Sequence, residues 1–271
     1  MGLLSFLFGK KKPKKIKIGL ALGSGGAKGF AELGAIKAFE ENGIEFEVFA
    51  GTSIGSIIGA FLANGYSSTD ILEMLRKVDF GEIKNALMIK MDTAGLHGVI
   101  DRSIGELNIE ELKYPFSCVA TNADTAEEYV FNKGSVALAL SASSAYPPFF
   151  KPVVIGENRY VDGAFTNSVP ADLVKKMGAD YIIGIDLSSH NPDTSFLSKI
   201  IPTFKSKVSE PWAKGYEYSN IMLHPDLTGY KPISFGAWSE MFDIGYQLAI
   251  EKMPEIKLGI EKAKNPKKFK N

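Results

Sequence analysis

The sequence predicts a layered α/β domain around a mainly parallel sheet, and three observations carry that prediction. Short apolar runs rich in β-branched residues alternate with segments of helical periodicity along most of the chain, the order expected when helices connect parallel strands. Two glycine-rich turns each stand between a predicted strand and a predicted helix, and ligands of such sheets collect beyond the carboxyl ends of the strands. The chain has 271 residues, 45% hydrophobic and 23% charged. That composition suits one large core and neither a disordered nor a membrane-integral chain.

The first strand is read at 16–22, stopped by Gly23-Ser24-Gly25-Gly26. Phe30, Leu33, Ala38 and Phe39 follow near helical spacing, and Asn42-Gly43 ends that helix. A second strand at 46–50 runs into Gly51-Thr52-Ser53-Ile54-Gly55. Ile57, Ile58, Phe61 and Leu62 then mark a helix closed by Asn64-Gly65, and 70–78 reads as helical too. Further strands are expected at 116–121, 129–131, 153–155 and 181–186, with helices near 135–142 and 171–177. A long amphipathic segment, 238–262, reads as a closing helix interrupted at Pro254.

Charge and cysteine usage narrow the function classes. Thirty-one basic residues balance thirty-one acidic ones, so no global field argues for nucleic acid. A single cysteine, Cys118, excludes an internal disulfide and fits a reducing compartment, so a cytoplasmic location is expected. No apolar run reaches the roughly 18 residues of a membrane span. The start is apolar first and basic afterwards, the reverse of a signal peptide, and Phe6 stands where a myristoylation pattern wants Ser or Thr. Leu3, Leu4, Phe6, Leu7 and Phe8 precede Lys10-Lys11-Lys12-Pro13-Lys14-Lys15. An apolar block plus lysines is the two-signal logic of peripheral attachment to an anionic leaflet, so residues 1–15 are expected to form a tail that touches the membrane's inner surface. A frayed end packing on a neighbouring subunit is the plainer reading of the same residues.

Three constellations carry the chemistry. Gly51-Thr52-Ser53-Ile54-Gly55 between strand and helix has the form of a nucleophile elbow, a tight bend that lifts a serine above the sheet. The helix behind it points its first N–H groups at the serine and favours developing negative charge there. Small residues that merely cap a helix would look similar. Gly23-Ser24-Gly25-Gly26-Ala27-Lys28-Gly29 opens the first helix, and its amides can converge on an anion, either as an oxyanion hole or as a dinucleotide pyrophosphate site. It fails as a P-loop because Ala27 and Gly29 replace the required glycine and hydroxyl residue around Lys28. Tyr160-Val161-Asp162-Gly163-Ala164 is the third. Asp before Gly is most often a turn, but a serine nucleophile needs a base within reach. The three histidines, His97, His190 and His224, sit in no recognisable catalytic turn and read as loop or surface residues. A desolvated carboxylate is the physical alternative.

Together, Gly25-Gly26-Ala27-Lys28-Gly29, Gly51-Thr52-Ser53-Ile54-Gly55 and Asp162-Gly163-Ala164, in that order, resemble the patatin-like phospholipases. The stretch from Ser141 through Tyr146-Pro147-Pro148-Phe149-Phe150 to Pro152 is similar to the segment before that family's aspartate. The likeness runs from about Ile18 to about Asp186. It implies a three-layer α/β/α fold with a mainly parallel central sheet, a single hydrolase domain over 16–262, and a basic tail over 263–271. It further implies Ser53 as nucleophile and Asp162 as base, with Ser24, Gly25, Gly26 and the nearby cation Lys28 around the oxyanion hole. Gly29, Gly51, Gly55 and Gly163 would be the motif glycines. Ser24 stands where the family's loop usually has glycine, and a positive φ there would cost of order 1 kcal/mol.

The implied reaction is hydrolysis of a lipid acyl ester, phospholipase A-like or lysophospholipase-like, through an acyl-enzyme on a Ser–Asp dyad. No metal or cofactor is required, and no His/Asp/Glu cluster at metal-ligand spacing is evident in the sequence. A dyad without histidine further implies a pH–rate profile lacking an inflection near 6.5. The rival readings are an α/β-hydrolase triad using Asp162 or Asp186 with His190 or His224, a Rossmann oxidoreductase using Glu45 or Glu47, and a non-catalytic lipid-binding member of the same fold.

Overall fold

The computed structural model describes residues 15–77, 93–190, 208–266 and 269. The apolar block and lysine run of 1–14 lie outside these residues, as do Val78 and residues 267, 268, 270 and 271 of the expected tail. In chain order the elements are β1 (Ile18–Leu22), α1 (Gly29–Glu41), β2 (Val48–Thr52), α2 (Ile54–Ala63), α3 (Ser68–Lys77), α4 (Ala94–Ile104), β3 (Phe116–Asn122), β4 (Glu128–Phe131), α5 (Val136–Ser143), β5 (Val153–Ile155), β6 (Asn158–Asp162), α6 (Ala171–Lys176), β7 (Tyr181–Ile185), α7 (Ala213–Tyr218), β8 (Ile221–Leu223) and α8 (Trp238–Lys264).

The strands form one eight-stranded sheet, linked by hydrogen bonds along the path β5-β6-β3-β2-β1-β7-β8, with β4 also paired to β3. Pairing is parallel from β3 through β2, β1 and β7 to β8. It turns antiparallel where β4, β5 and β6 join. Gly156-Glu157 makes the β5–β6 link a two-residue hairpin with Gly156 at φ 61, and so short a link permits only antiparallel strands.

Alternation along the central strands builds a core on each face. Leu20, Leu22, Phe49, Ile183 and Ile185 face one way and pack with Phe30, Leu33, Ile36 and Phe39 of α1, Ile58 and Phe61 of α2, and Met253, Ile256 and Ile260 of α8. Ala21, Val48, Ala50 and Ile182 face the other way and pack with Ala171, Leu173 and Val174 of α6. Helices therefore cover both faces, and β1, β2 and β7 carry the near-continuous apolar runs of strands buried on two sides.

Helix α8 departs from expectation. It runs unbroken through Pro254 for 27 residues. Proline removes one i→i−4 bond, and here the loss falls on the solvent side, because Pro254 is exposed while Met253, Ile256 and Ile260 anchor the inner face. The helix also ends at Lys264, so the expected boundary at 262 falls inside its last turn. Elements α4, β6, α7 and β8 escaped the sequence reading. Gly95 and Gly98 weaken the helical signal of α4, and three residues are too few to show a strand period.

Candidate active site

Ser53 occupies the single residue between β2 and α2, with φ 56 and ψ −124. For a residue with a Cβ this lies outside the favoured basins, a strain of order 1–3 kcal/mol that surrounding structure must hold. Here it is held from several sides. The Ser53 amide donates to Ser143 Oγ at 3.0 Å, and that hydroxyl donates to the Val119 carbonyl at 2.6 Å. The Ser53 carbonyl accepts from Ser56 Oγ at 2.6 Å, while Thr52 Oγ1 donates to the Asn167 carbonyl at 2.8 Å. Gly51 and Gly55 make the bend sterically possible. A Cβ on Gly55 would stand 2.6 Å from the Gly23 carbonyl oxygen, and one on Gly51 would stand 2.6 Å from the Ser56 nitrogen. Either methyl would force the elbow apart.

Asp162 reaches the same place from the opposite direction. Val119 pairs with both Thr52 and Val130, and Ala120 with both Tyr129 and Asp162. A strand residue has only two flanks, so β4 holds one edge of β3 while β2 and β6 share the other. Strand β2 runs up that edge and ends at Thr52. Strand β6 runs down it and ends at Asp162, level with the next residue of β3. Two strand ends thus meet tip to tip, and this places Ser53 beside Asp162. Gly163 allows the junction, since its Cβ would lie 2.9 Å from Thr52 Cγ2.

The Asp162 side chain is fully buried. Oδ1 accepts from the Ala164 amide at 2.9 Å, and Oδ2 is buried without a partner in full hydrogen-bond geometry among the described residues. Burial pushes the carboxyl up to about 7, against the opposing pull of the Ser53 hydroxyl and the Ala164 amide. Desolvation thus moves this carboxyl towards the range an imidazole normally occupies, so an inflection near neutrality would come from Asp162 itself.

The glycine loop lies on the other side of Ser53, at the end of β1. The Gly23 amide donates to buried Glu32 Oε1 at 2.6 Å, Ser24 N–H to the Ser168 carbonyl at 3.1 Å, and Ala27 N–H to the Pro232 carbonyl at 2.8 Å. The amides of Gly25 and Gly26 have no intramolecular acceptor among the described residues. Gly26 has φ 58, whereas Ser24 is not among the residues with positive φ. The anticipated strain at Ser24 is therefore absent, and its amide is engaged in anchoring the loop. Gly29 lets α1 approach α2, for a Cβ there would press on the Ile54 side chain, 3.2 Å from Cγ2. The Nζ of Lys28 donates to the Leu187 carbonyl at 3.5 Å; burial lowers its pKa, with Asp186 acting in the opposite direction.

His190 and His224 lie in exposed loops, as expected, but both gather on one buried acid. At the end of β7, Asp186 is 1% exposed. Its Oδ1 accepts from the Ser188 amide at 2.9 Å, and its Oδ2 lies 2.6 Å from His190 Nε2 and 3.5 Å from His224 Nδ1. Burial works to raise this carboxyl, but hydrogen bonds from His224, His190 and Ser188 prevail and hold it at about 2. The acid–histidine pair of a triad therefore exists, yet β1 and its glycine loop separate it from Ser53 in the strand order. Among the described residues, no histidine hydrogen-bonds Ser53 or Asp162. His97 pairs with Asp101 on its own helix, at 3.1 Å.

Comparisons with known proteins identify a family and a fold. The family model described as patatin-like phospholipase matches residues 20–175. Lysophospholipase nte1 of Aspergillus fumigatus is 26% identical over 281 residues, covering 89% of this chain and 18% of the relative. Neuropathy target esterase sws of Drosophila melanogaster is 26% identical over 272 residues, covering 84% of this chain and 19% of the relative. Human patatin-like phospholipase domain-containing protein 6 is likewise 26% identical, with 85% and 20% covered. The chain thus spans about a fifth of the length of these relatives. Among solved structures, VipD from Legionella pneumophila superposes with a TM-score of 0.58 at 15% identity, covering 90% of this chain and 67% of that one. The type III effector protein ExoU gives 0.52 at 13% identity, covering 91% and 54%. At such identities these likenesses concern the fold.

Proposed function

The chain belongs to the patatin-like phospholipase family, and from that premise we propose that it hydrolyses fatty-acyl esters of lipids through a Ser53–Asp162 dyad. The observation that carries the reading is the meeting of β2 and β6 on one edge of β3, which sets the serine hydroxyl against a buried carboxylate. Asp162 takes the proton as Ser53 Oγ attacks the ester carbonyl. The unengaged amides of Gly25 and Gly26, together with the N-terminus of α2, face the oxyanion that develops. Protonated Asp162 then returns its proton to the departing alcohol, and the acyl group stays on Ser53. Water, deprotonated by the same carboxylate, releases the fatty acid. A pKa near 7 suits both half-reactions, since the group must accept and give a proton at neutral pH. The substrate class is phospholipid or lysophospholipid.

Fluorophosphonate labelling tests this directly. The probe should attach to Ser53, identified by peptide mass spectrometry, and the labelling rate should rise with pH through about 7. An active preparation labelled at another residue would remove Ser53 from the mechanism. An inert preparation would leave only the lipid-binding reading.

We also propose cytoplasmic residence with peripheral membrane contact through residues 1–15. Among the described residues, no helix is long and apolar enough to cross a membrane. Deleting 1–15 should weaken binding to anionic vesicles, most at low salt, while soluble-ester hydrolysis survives. Equal partitioning of the full and shortened chains would exclude the tail as an anchor.

A further inference from the structure

On the far side of the glycine loop from Ser53, the parallel neighbours β7 and β8 bring their carboxyl ends together. Asp186 directly follows β7 and His224 directly follows β8, while His190 folds back from the β7 connection with φ 53. We propose that Asp186, His190 and His224 form a binding site for a divalent transition-metal ion of the zinc class.

The donor set comes first. One carboxylate oxygen and two imidazole nitrogens all lie within 4.8 Å of one another. An ion with bonds of about 2.1 Å holds its ligand atoms roughly 3.4 Å apart, so modest ring movements close the set around it. The 2.6 Å contact between Asp186 Oδ2 and His190 Nε2 opens slightly, and the 3.5 Å separation from His224 Nδ1 already fits. Two imidazoles and one carboxylate favour zinc, cobalt or nickel over calcium or magnesium, which prefer oxygen alone.

The surroundings resemble those that orient metal ligands. The Ser188 amide occupies Asp186 Oδ1 and leaves Oδ2 for the shared centre. Trp212 stacks on the His190 ring with centroids 4.7 Å apart and planes 13° apart, fixing its tilt. The Tyr216 hydroxyl stands 3.4 Å from His190 Nε2 and 3.2 Å from His224 Nδ1, on a further side of the same centre. The carboxylate is buried while both rings are partly exposed, so an ion can enter from solvent. The Lys28 ammonium opposes a dication here, since it is electrostatically coupled to Asp186 and His224.

The position gives such an ion a consequence. The Leu187 side chain abuts Gly25, where a Cβ would come within 2.9 Å of it, and Asp186 Cα lies 3.5 Å from where a Gly23 Cβ would stand. An ion on Asp186 and His190 would brace this segment against the glycine loop. The inference does not depend on the proposed ester hydrolysis, and its readout is binding.

Untagged full-length protein should be titrated with Zn2+ by calorimetry and with Co2+ by visible absorption. The expected result is one ion per chain at micromolar affinity, with a Co2+ ligand-field band. His190→Ala and His224→Ala should each weaken binding at least 10-fold, and His97→Ala, which disrupts the other Asp–His pair, should leave it unchanged. Absence of saturable binding and of the Co2+ band in the wild type overturns the site, whatever the variants do. Undiminished binding in folded His190→Ala/His224→Ala protein overturns it equally, and the cluster is then a hydrogen-bonded knot that closes the β7–β8 end.

Discussion

Ser53→Ala should lower turnover of a short-chain p-nitrophenyl ester by at least about 10⁴-fold, because no acyl-enzyme can form without the hydroxyl. What remains is the contribution of the glycine-loop amides and of binding, which a missing nucleophile leaves in place. The fold should persist. The backbone of Ser53 is fixed by Ser143, Val119 and Ser56 through main-chain atoms that alanine retains, and alanine at φ 56 is no more strained than serine. Asp162 should respond as well. Its hydroxyl partner acts to lower its pKa, so removing that partner leaves burial less opposed and drives the carboxyl higher. Ser53→Gly should be equally inactive yet more stable than Ser53→Ala, by about 1 kcal/mol, since glycine accepts positive φ without strain. Rates on purified protein and melting curves for both variants decide the matter. Wild-type turnover in folded Ser53→Ala would end the role given to this residue.

The parts of this site differ in how readable they were. The strand–turn–helix around Ser53 was visible because a β-rich run, two glycines at fixed spacing and a helical period all fall within sixteen residues, 48–63. The first glycine loop was visible for the same local reason, but its division of labour was not. Which amides are engaged and which are free depends on Ser168 and Pro232, far along the chain. Asp162 carried almost no signal of its own, since Asp-Gly is ordinary turn chemistry; the lack of a histidine in a catalytic turn and the family resemblance drew attention to it. Its placement depends on β6 replacing β2 along one edge of β3, a register that no local pattern encodes. The Asp186 cluster was hidden for a similar reason. Its two histidines stand 34 residues apart and meet only because β7 and β8 are parallel neighbours. The extent to which the Asp162 carboxyl is raised follows from burial, and burial of one side chain is a property of packing.

Asp162→Asn should separate catalysis from stability at a single atom. Turnover should fall by at least about 10³-fold, since the amide cannot accept the serine proton in the first step or activate water in the second. The wild-type rate should rise with pH through about 7, as the buried carboxyl loses its proton. That rise should vanish in the variant. Stability should move the other way. A carboxyl raised in the folded state keeps its proton between its ordinary value of 3.8 and about 7, while the unfolded chain has already released it. The folded form is therefore favoured at low pH, and this contribution is lost as pH climbs through about 7. A displacement of that size corresponds to at most about 4 kcal/mol, at 1.36 kcal/mol for each pH unit. Asparagine carries no charge to desolvate, and its oxygen can still accept from the Ala164 amide. The variant should thus melt higher than wild type at pH 8, by several degrees, and the gain should shrink towards pH 4. A variant that melts lower at pH 8, or a wild-type melting curve indifferent to pH between 4 and 8, would mean that Asp162 is not the desolvated base described here. Its loss of activity would then reflect a damaged fold and not a missing proton acceptor.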